Sequence, residues 1–138
     1  TEAEWELAAS GEPDPSGAGF TERKRRYPWG DEPPTPARAN LDWRHMGCVD
    51  VGAFPKGDSA FGCRQMLGNV WEWTRSPYQP YPFDSTDEGE GLGADALWVM
   101  RGGSFTDPER NVRAAIRGGG DPGARRPFMG FRVAISPF

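Results

Sequence analysis

Histidine is nearly absent: among 138 residues there is His45 alone. Three-histidine iron, two-histidine zinc and paired-imidazole chemistry therefore cannot be assembled from this chain by itself. Cysteine is almost as scarce. Cys48 and Cys63 lie too far apart for a C-x-x-C motif and are too few for a disulfide scaffold, so free thiols are expected. A bond between them would imply export, which nothing else in the sequence suggests. Positive charge is not in excess either, with 16 Lys and Arg against 20 Asp and Glu and a net charge of −4. That balance argues against nucleic acid as the main partner. The single basic run, "RKRR" at 23–26, reads as a solvated loop. No apolar run reaches the length of a membrane span, and the Thr-Glu start lacks the apolar stretch of a signal peptide. A cytoplasmic protein without a membrane partner is the expectation.

Glycine and proline are abundant, at 19 and 14, beside 6 Trp, 8 Phe and 3 Tyr. Large rings supply a core while frequent turn residues shorten every element, which predicts one α+β domain, loop-rich and with little regular secondary structure. "TEAEWELAAS" carries a capping box, Thr1 with Glu4, and puts Trp5 and Ala8 or Ala9 on one helical face. Residues 11–37 read as a long loop pinned by Tyr27 and Trp29 of "YPWG". Strands are predicted for "VDVGAFP" at 49–55, for "LWVMRGGSF" at 97–105 with a break at Gly102 and Gly103, for "NVRAAIR" with Val112, Ala114 and Ile116 on one face, and for "GFRVAISPF" with Phe131, Val133 and Ile135 alternating. "GGG" at 118–120 reads as a flexible loop, and Asp84, Asp87, Glu88 and Glu90 as part of a solvated acidic loop.

"GCRQMLGNVWEWTRSPY" at 62–78 sets Glu72 between two tryptophans. A carboxylate among rings is costly unless it is paired or bound to a cation. Its partner could be backbone N–H groups, Arg75, Arg101 or a metal ion.

The motifs "TEAEWE", "YPWGD", "ANLD", "MLGNVWEWT", "RGGSF", "VRAAIR" and "GFRVAISPF", in this order and spacing, resemble the formylglycine-generating-enzyme-like family of sulfatase-modifying factors. The similarity extends over 1–138 and includes the C-terminal domain of ergothioneine-type sulfoxide synthases. It implies a C-type-lectin-like fold, calcium-stabilised, whose N-terminal part precedes the positions matched here, so that an N-terminal domain or second chain would complete it. It also implies calcium ligands at Gln65, Gly68, Val70 and Glu72, and a second set at Asn40 and Leu41 with Asp50 less securely placed. Calcium accepts such sets because it takes six to eight oxygens in flexible geometry. Gln65 stands where the calcium-binding relatives carry Asn.

Catalysis is less well supported. Copper-using members carry two cysteines just after "RGGS", where this chain reads "RGGSFTDPERNVRAAIR" with none. The iron-dependent sulfoxide synthases use three histidines from a separate helical domain. Neither copper nor iron is therefore expected from this chain alone, and no catalytic residue is assigned. The resemblance points instead to a ligand- or protein-binding module. Its C-terminal surface would receive a small molecule, peptide or protein through Asp107, Arg110, Asn111, Arg113, Arg117, Arg125 and Arg126. Arginines suit anionic ligands through their planar fork of donors, although Arg113, Arg117 and Arg132 are each, taken singly, better explained by structural pairing with core-edge acids and carbonyls. An iron-dependent sulfoxide synthase domain, or a diverged formylglycine-generating oxidase, is the enzymatic alternative.

Overall fold

The computed structural model describes residues 1–82, 93 and 95–135. The acidic positions Asp84, Asp87, Glu88 and Glu90 lie outside the described residues. One helix, α1 (Glu2–Ser10), is followed by β1 (Gly11–Pro13), β2 (Phe20–Lys24), β3 (Trp71–Pro77), β4 (Trp98–Arg101), β5 (Arg117–Gly120) and β6 (Met129–Gly130), with short 3-10 turns at Pro55–Gly57 and Glu109–Asn111. β1 and β2 form an antiparallel pair, and the larger sheet runs β5-β4-β3-β6. Its β3–β4 and β4–β5 pairings are antiparallel, whereas β6 runs parallel to β3. The loop-rich α+β architecture is the one expected from composition.

The capping box starts α1 as expected: the Thr1 hydroxyl accepts the Glu4 N–H while the Glu4 carboxylate reaches back to Thr1. The helix buries Trp5 and Ala9 against Met66 and Ala114. A second cluster gathers Tyr27, Ala39, Leu41, Leu67 and Val112, with Trp29 and Ile116 against it. Tyr27 and Trp29 stack at 5.5 Å with nearly parallel rings, so "YPWG" does pin its segment to the core.

One residue of the helical stripe is charged. Glu2 is 2% exposed, and its carboxylate receives Arg101 Nη1 at 3.1 Å, Arg117 Nε and Nη2 at 2.8 and 2.9 Å, and the Tyr81 hydroxyl at 3.2 Å. Arg101 is fully buried, gives Nη2 to Glu6 at 2.5 Å and to the Ala114 carbonyl at 3.3 Å, and lies over the Trp5 ring. Burial pushes the Glu6 carboxyl upward, but the Lys24 hydrogen bond and the Arg101 and Lys24 charges outweigh it and hold the group below its ordinary value. Burial and the Glu2 charge raise the Tyr81 phenol. This network ties the first turn of α1 to β4 and β5.

Several strand expectations fail for identifiable reasons. "VDVGAFP" is a series of turns with Phe54 in the left-handed region at φ 59°, because the Ala53 N–H closes on the Asp50 carbonyl instead of a neighbouring strand. "NVRAAIR" keeps its alternation, burying Val112 and Ala114, but only Arg117 at its end enters a strand. The run 11–37 is not all loop, since β1 and β2 pair within it and take up Arg23 and Lys24 of the basic run. "GGG" is not a flexible loop; it makes up most of β5. A Cβ at Gly120 would stand 2.5 Å from the Trp73 ring and one at Gly119 2.9 Å from the Tyr78 ring, so the aromatic faces of β3 and its following residue lie directly on bare backbone. The closing strand is also shorter than expected: β6 ends at Gly130, and Phe131, Val133 and Ile135 are exposed.

Candidate ligand-binding cleft

Trp71, Glu72 and Trp73 sit on β3, whose alternation sends the two indoles to one face and the carboxylate to the other. On the carboxylate side, Glu72 is 5% exposed and is held by arginine and indole. Arg132 Nε and Nη2 each donate at 2.6 Å, in fork geometry, and the Trp5 indole N–H donates at 2.7 Å. Burial lowers Arg132's affinity for its proton, but the Glu72 hydrogen bonds and charge outweigh this and raise its pKa above the usual value. Neither Arg75 nor Arg101 is the partner of this acid. Arg101 belongs to Glu2 and Glu6, and the residue that satisfies Glu72 lies sixty positions downstream in sequence.

The donor chemistry of the first calcium set does not fit a cation. Both Glu72 oxygens face the Arg132 guanidinium, and Gln65 turns its amide nitrogen to the carbonyls of Asp50 and Ala53 at 3.2 and 3.0 Å. A cation there would also meet Arg132 Nη2 where it bonds the Arg64 and Gln65 carbonyls. Gly68 and Val70 bracket the tight turn that feeds β3, with Gly68 at φ +76° and its N–H on the Gly102 carbonyl at 2.9 Å. The second set differs. Asn40 is fully buried, its Nδ2 donates to the Gly47 carbonyl and to Asn69 Oδ1, and its Oδ1 has no hydrogen-bond partner. An orphaned buried oxygen is what an oxygen-seeking cation would use, and Asn40 with the Leu41 carbonyl fits that role. The Leu41 carbonyl already accepts the Arg44 N–H at 3.2 Å, and Asp50 Oδ1 the Gly52 N–H at 2.6 Å.

The indole side of β3 opens on a cavity of about 640 Å³. Trp73, Ala124, Met129 and Phe131 make its apolar wall, and Arg125 and Arg126 its polar rim. Local chemistry holds the rim in place: Asp121 Oδ1 accepts the Gly123 N–H at 2.7 Å, the Ala124 N–H closes on the Asp121 carbonyl, and the Met129 N–H on the Arg126 carbonyl. Arg125 Nη1 donates to the Pro122 and Ala124 carbonyls at 3.1 and 3.0 Å, which pre-orients the guanidinium.

Of the surface residues expected to bind a ligand, Arg125 and Arg126 come together at this cleft. Arg117 is turned inward on Glu2 with the Tyr78 and Tyr81 rings beside it, as a half-buried partner of that acid. Asp107 is likewise structural: its Oδ2 accepts the Ser104 N–H and hydroxyl and the Trp71 indole N–H at 2.9, 2.8 and 3.0 Å. Arg110 and Asn111 occupy a 3-10 turn and Arg113 an exposed position, and none of the three lines the cleft. Trp73 was not singled out in the sequence, whereas Arg132, expected to pair with core-edge acids and carbonyls, does so at Glu72 and at the Arg64 and Gln65 carbonyls. The Trp-Glu-Trp alternation could have indicated the first, since a buried acid on one face of a strand leaves its flanking rings on the other. Cys48 and Cys63 are free thiols, as expected. No described helix is long and apolar enough to cross a membrane.

Residues 1–137 match the sulfatase-modifying factor enzyme 1-like domain. The chain belongs to that family. Hercynine oxygenase from Mycolicibacterium thermoresistibile is 43% identical over 142 residues, covering 97% of this chain and 30% of the relative. Inactive C-alpha-formylglycine-generating enzyme 2 from Mus musculus is 33% identical, covering 99% of this chain and 42% of the relative. The solved structure of PvdO from Pseudomonas aeruginosa superposes with a TM-score of 0.67 at 25% identity, over 95% of this chain and 49% of that one. The fold of this sulfatase-modifying-factor-like domain is thus the C-type-lectin-like one, and the chain spans less than half the length of the relatives it matches.

Proposed function

We propose that this sulfatase-modifying-factor-like domain is a ligand-binding domain, catalytically incomplete by itself, that presents the Trp73–Arg125–Arg126 cleft to a small zwitterionic substrate. The observation that carries this reading is the meeting, in one open cavity, of an indole face with two guanidinium groups on a preformed turn. Hercynine, named in the relative of highest identity quoted above, is a betaine with a trimethylammonium group and a carboxylate. An indole face attracts a quaternary ammonium, worth about 0.5–2 kcal/mol, and an arginine fork suits a carboxylate. With one histidine in the chain, oxygen chemistry of the hercynine-oxygenase kind would draw its metal ligands from polypeptide outside these residues.

Titration calorimetry with hercynine tests this. Saturable binding is expected, in the high-micromolar to millimolar range appropriate to a half-open site. The Arg125→Ala/Arg126→Ala double variant should weaken it roughly tenfold or more, the loss expected for charge-assisted hydrogen bonds. Undiminished binding by the double variant would place the ligand elsewhere. A redox metal co-purifying in stoichiometric amount would make the domain an oxidase in its own right.

Calcium enters this reading through Asn40 and Leu41, supported by the orphaned Asn40 Oδ1. Any rise in Tm that calcium produces over a chelated sample should be lost in Asn40→Ser and kept in Glu72→Gln. Loss in Glu72→Gln alone would return the cation to the acid.

A further inference from the structure

Four oxygens converge on the Arg132 guanidinium. Glu72 Oε2 accepts from Nε at 2.6 Å, while Glu72 Oε1 and the Arg64 and Gln65 carbonyls accept from Nη2 at 2.6, 2.9 and 3.3 Å. The backbone is bent where the two carbonyls meet. Gln65 stands in the left-handed region at φ 55°, which an L side chain disfavours, and its amide nitrogen is fastened to the Asp50 and Ala53 carbonyls. Strain of this kind persists only where the surroundings enforce it. Here it accompanies two successive carbonyls that share one donor nitrogen beside a carboxylate. A carboxylate with two neighbouring carbonyls is a donor set for a hard cation, and the guanidinium meets it with its planar fork. The Glu72 side chain is 7% exposed and that of Arg132 33%, so protein closes the cage behind the acid and solvent meets it on the arginine side.

We propose that Glu72, with the Arg64 and Gln65 carbonyls, is a cation site whose permanent occupant is the chain's own Arg132, and that an ion of calcium size enters this cage only when the guanidinium is taken away. The acid at which the family resemblance implies a metal is thereby satisfied by a side chain from the segment after β6. That segment is fixed to the turn before β3 without any requirement for free ion. Exchange of guanidinium for metal changes the charge facing Glu72 from one positive to two, but the same oxygens serve both. The inference goes beyond the cleft reading and does not depend on its ligand, so failure of hercynine binding would leave it standing. It is also separate from Asn40 and Leu41, which share none of these donors.

The test uses terbium, a calcium-sized ion whose emission a neighbouring indole sensitises. The Trp5 indole N–H donates to Glu72 Oε2 at 2.7 Å, so an ion held by Glu72 is read through Trp5. Four forms of the full chain are compared: wild type, Glu72→Gln, Arg132→Ala and Arg132→Ala/Glu72→Gln. Emission from an ion at Asn40 is common to all four, and the readout is the component that depends on Glu72. That component is expected in Arg132→Ala and at least tenfold weaker in wild type. Calcium should raise the Tm of Arg132→Ala, or restore folding if the variant is unfolded without it, and should have no such effect beyond the Asn40 contribution in the double variant. Wild type supplies a second readout that involves no substitution: the Arg132 Nε–H signal of the nitrogen-15-labelled chain should stay in place under millimolar calcium. Glu72-dependent emission as strong in wild type as in Arg132→Ala, movement of the Arg132 Nε–H signal with calcium, or an Arg132→Ala chain that calcium neither stabilises nor refolds would each overturn the proposal.

Discussion

Arg101→Met is expected to destabilise the domain by about 3–5 kcal/mol, the cost of breaking a buried ion pair from one side. Total stability of a domain this size is about 5–15 kcal/mol, so the loss would take a large share of it. The cost arises in what is left behind. Glu6 loses its Arg101 contact and keeps Lys24, Glu2 keeps Arg117, and the carbonyls of Ala114 and Ala115 lose a buried donor. Methionine fills most of the volume, so the cavity contribution is small and the electrostatic one dominates. Lysine at the same position would not restore wild type, because a single ammonium cannot span both acids and both carbonyls as the guanidinium fork does. Urea unfolding measures this directly; a loss under about 1 kcal/mol would mean that the network is incidental to the fold.

Gly68→Ala should cost about 3 kcal/mol, unusually much for one added methyl group. Two effects sum at this position. The residue has φ +76°, where an L side chain pays about 1–2 kcal/mol. A Cβ would also stand 2.5 Å from the Asn40 carbonyl oxygen, which accepts the Asn69 N–H at 2.9 Å and so joins the Asn40 segment to the turn before β3. Moving that oxygen strains a backbone hydrogen bond and displaces Asn40 with it, costing about 1–3 kcal/mol more. Equal urea midpoints for variant and wild type would show that the turn relaxes freely.

Local physics made part of this legible in sequence. The Thr1–Glu4 capping box, the "YPWG" anchor and the alternation of Trp71, Glu72 and Trp73 depend on residues within a turn or two of one another, and all three are present. Long-range partners were not legible. Glu72 was recognisable as an acid that needed a partner, yet Arg132 lies far along the chain and nothing in local spacing favours it over Arg75 or Arg101. "GGG" was misread because its reason is the rings of Trp73 and Tyr78 packed on it, side chains from another strand. The closing alternation of Phe131, Val133 and Ile135 has the pattern of a strand but lacks a covering layer among the described residues, so pattern and burial part company there.

Of the ligand surface, the resemblance named Arg125 and Arg126 together with Arg117, and the structure puts only the first two on the rim of the cleft. Their guanidinium chemistry is identical, and the pairing of Arg117 with Glu2 is a tertiary fact.

The most direct test of the binding cleft is the indole N–H spectrum of the nitrogen-15-labelled chain during a hercynine titration. The six tryptophans give separable indole signals, assignable by single Trp→Phe variants. The cleft reading predicts a saturable shift of the Trp73 signal, with the Trp5 and Trp29 signals fixed by their bonds to Glu72 and to the Glu32 carbonyl. A stationary Trp73 signal at saturating hercynine would contradict it.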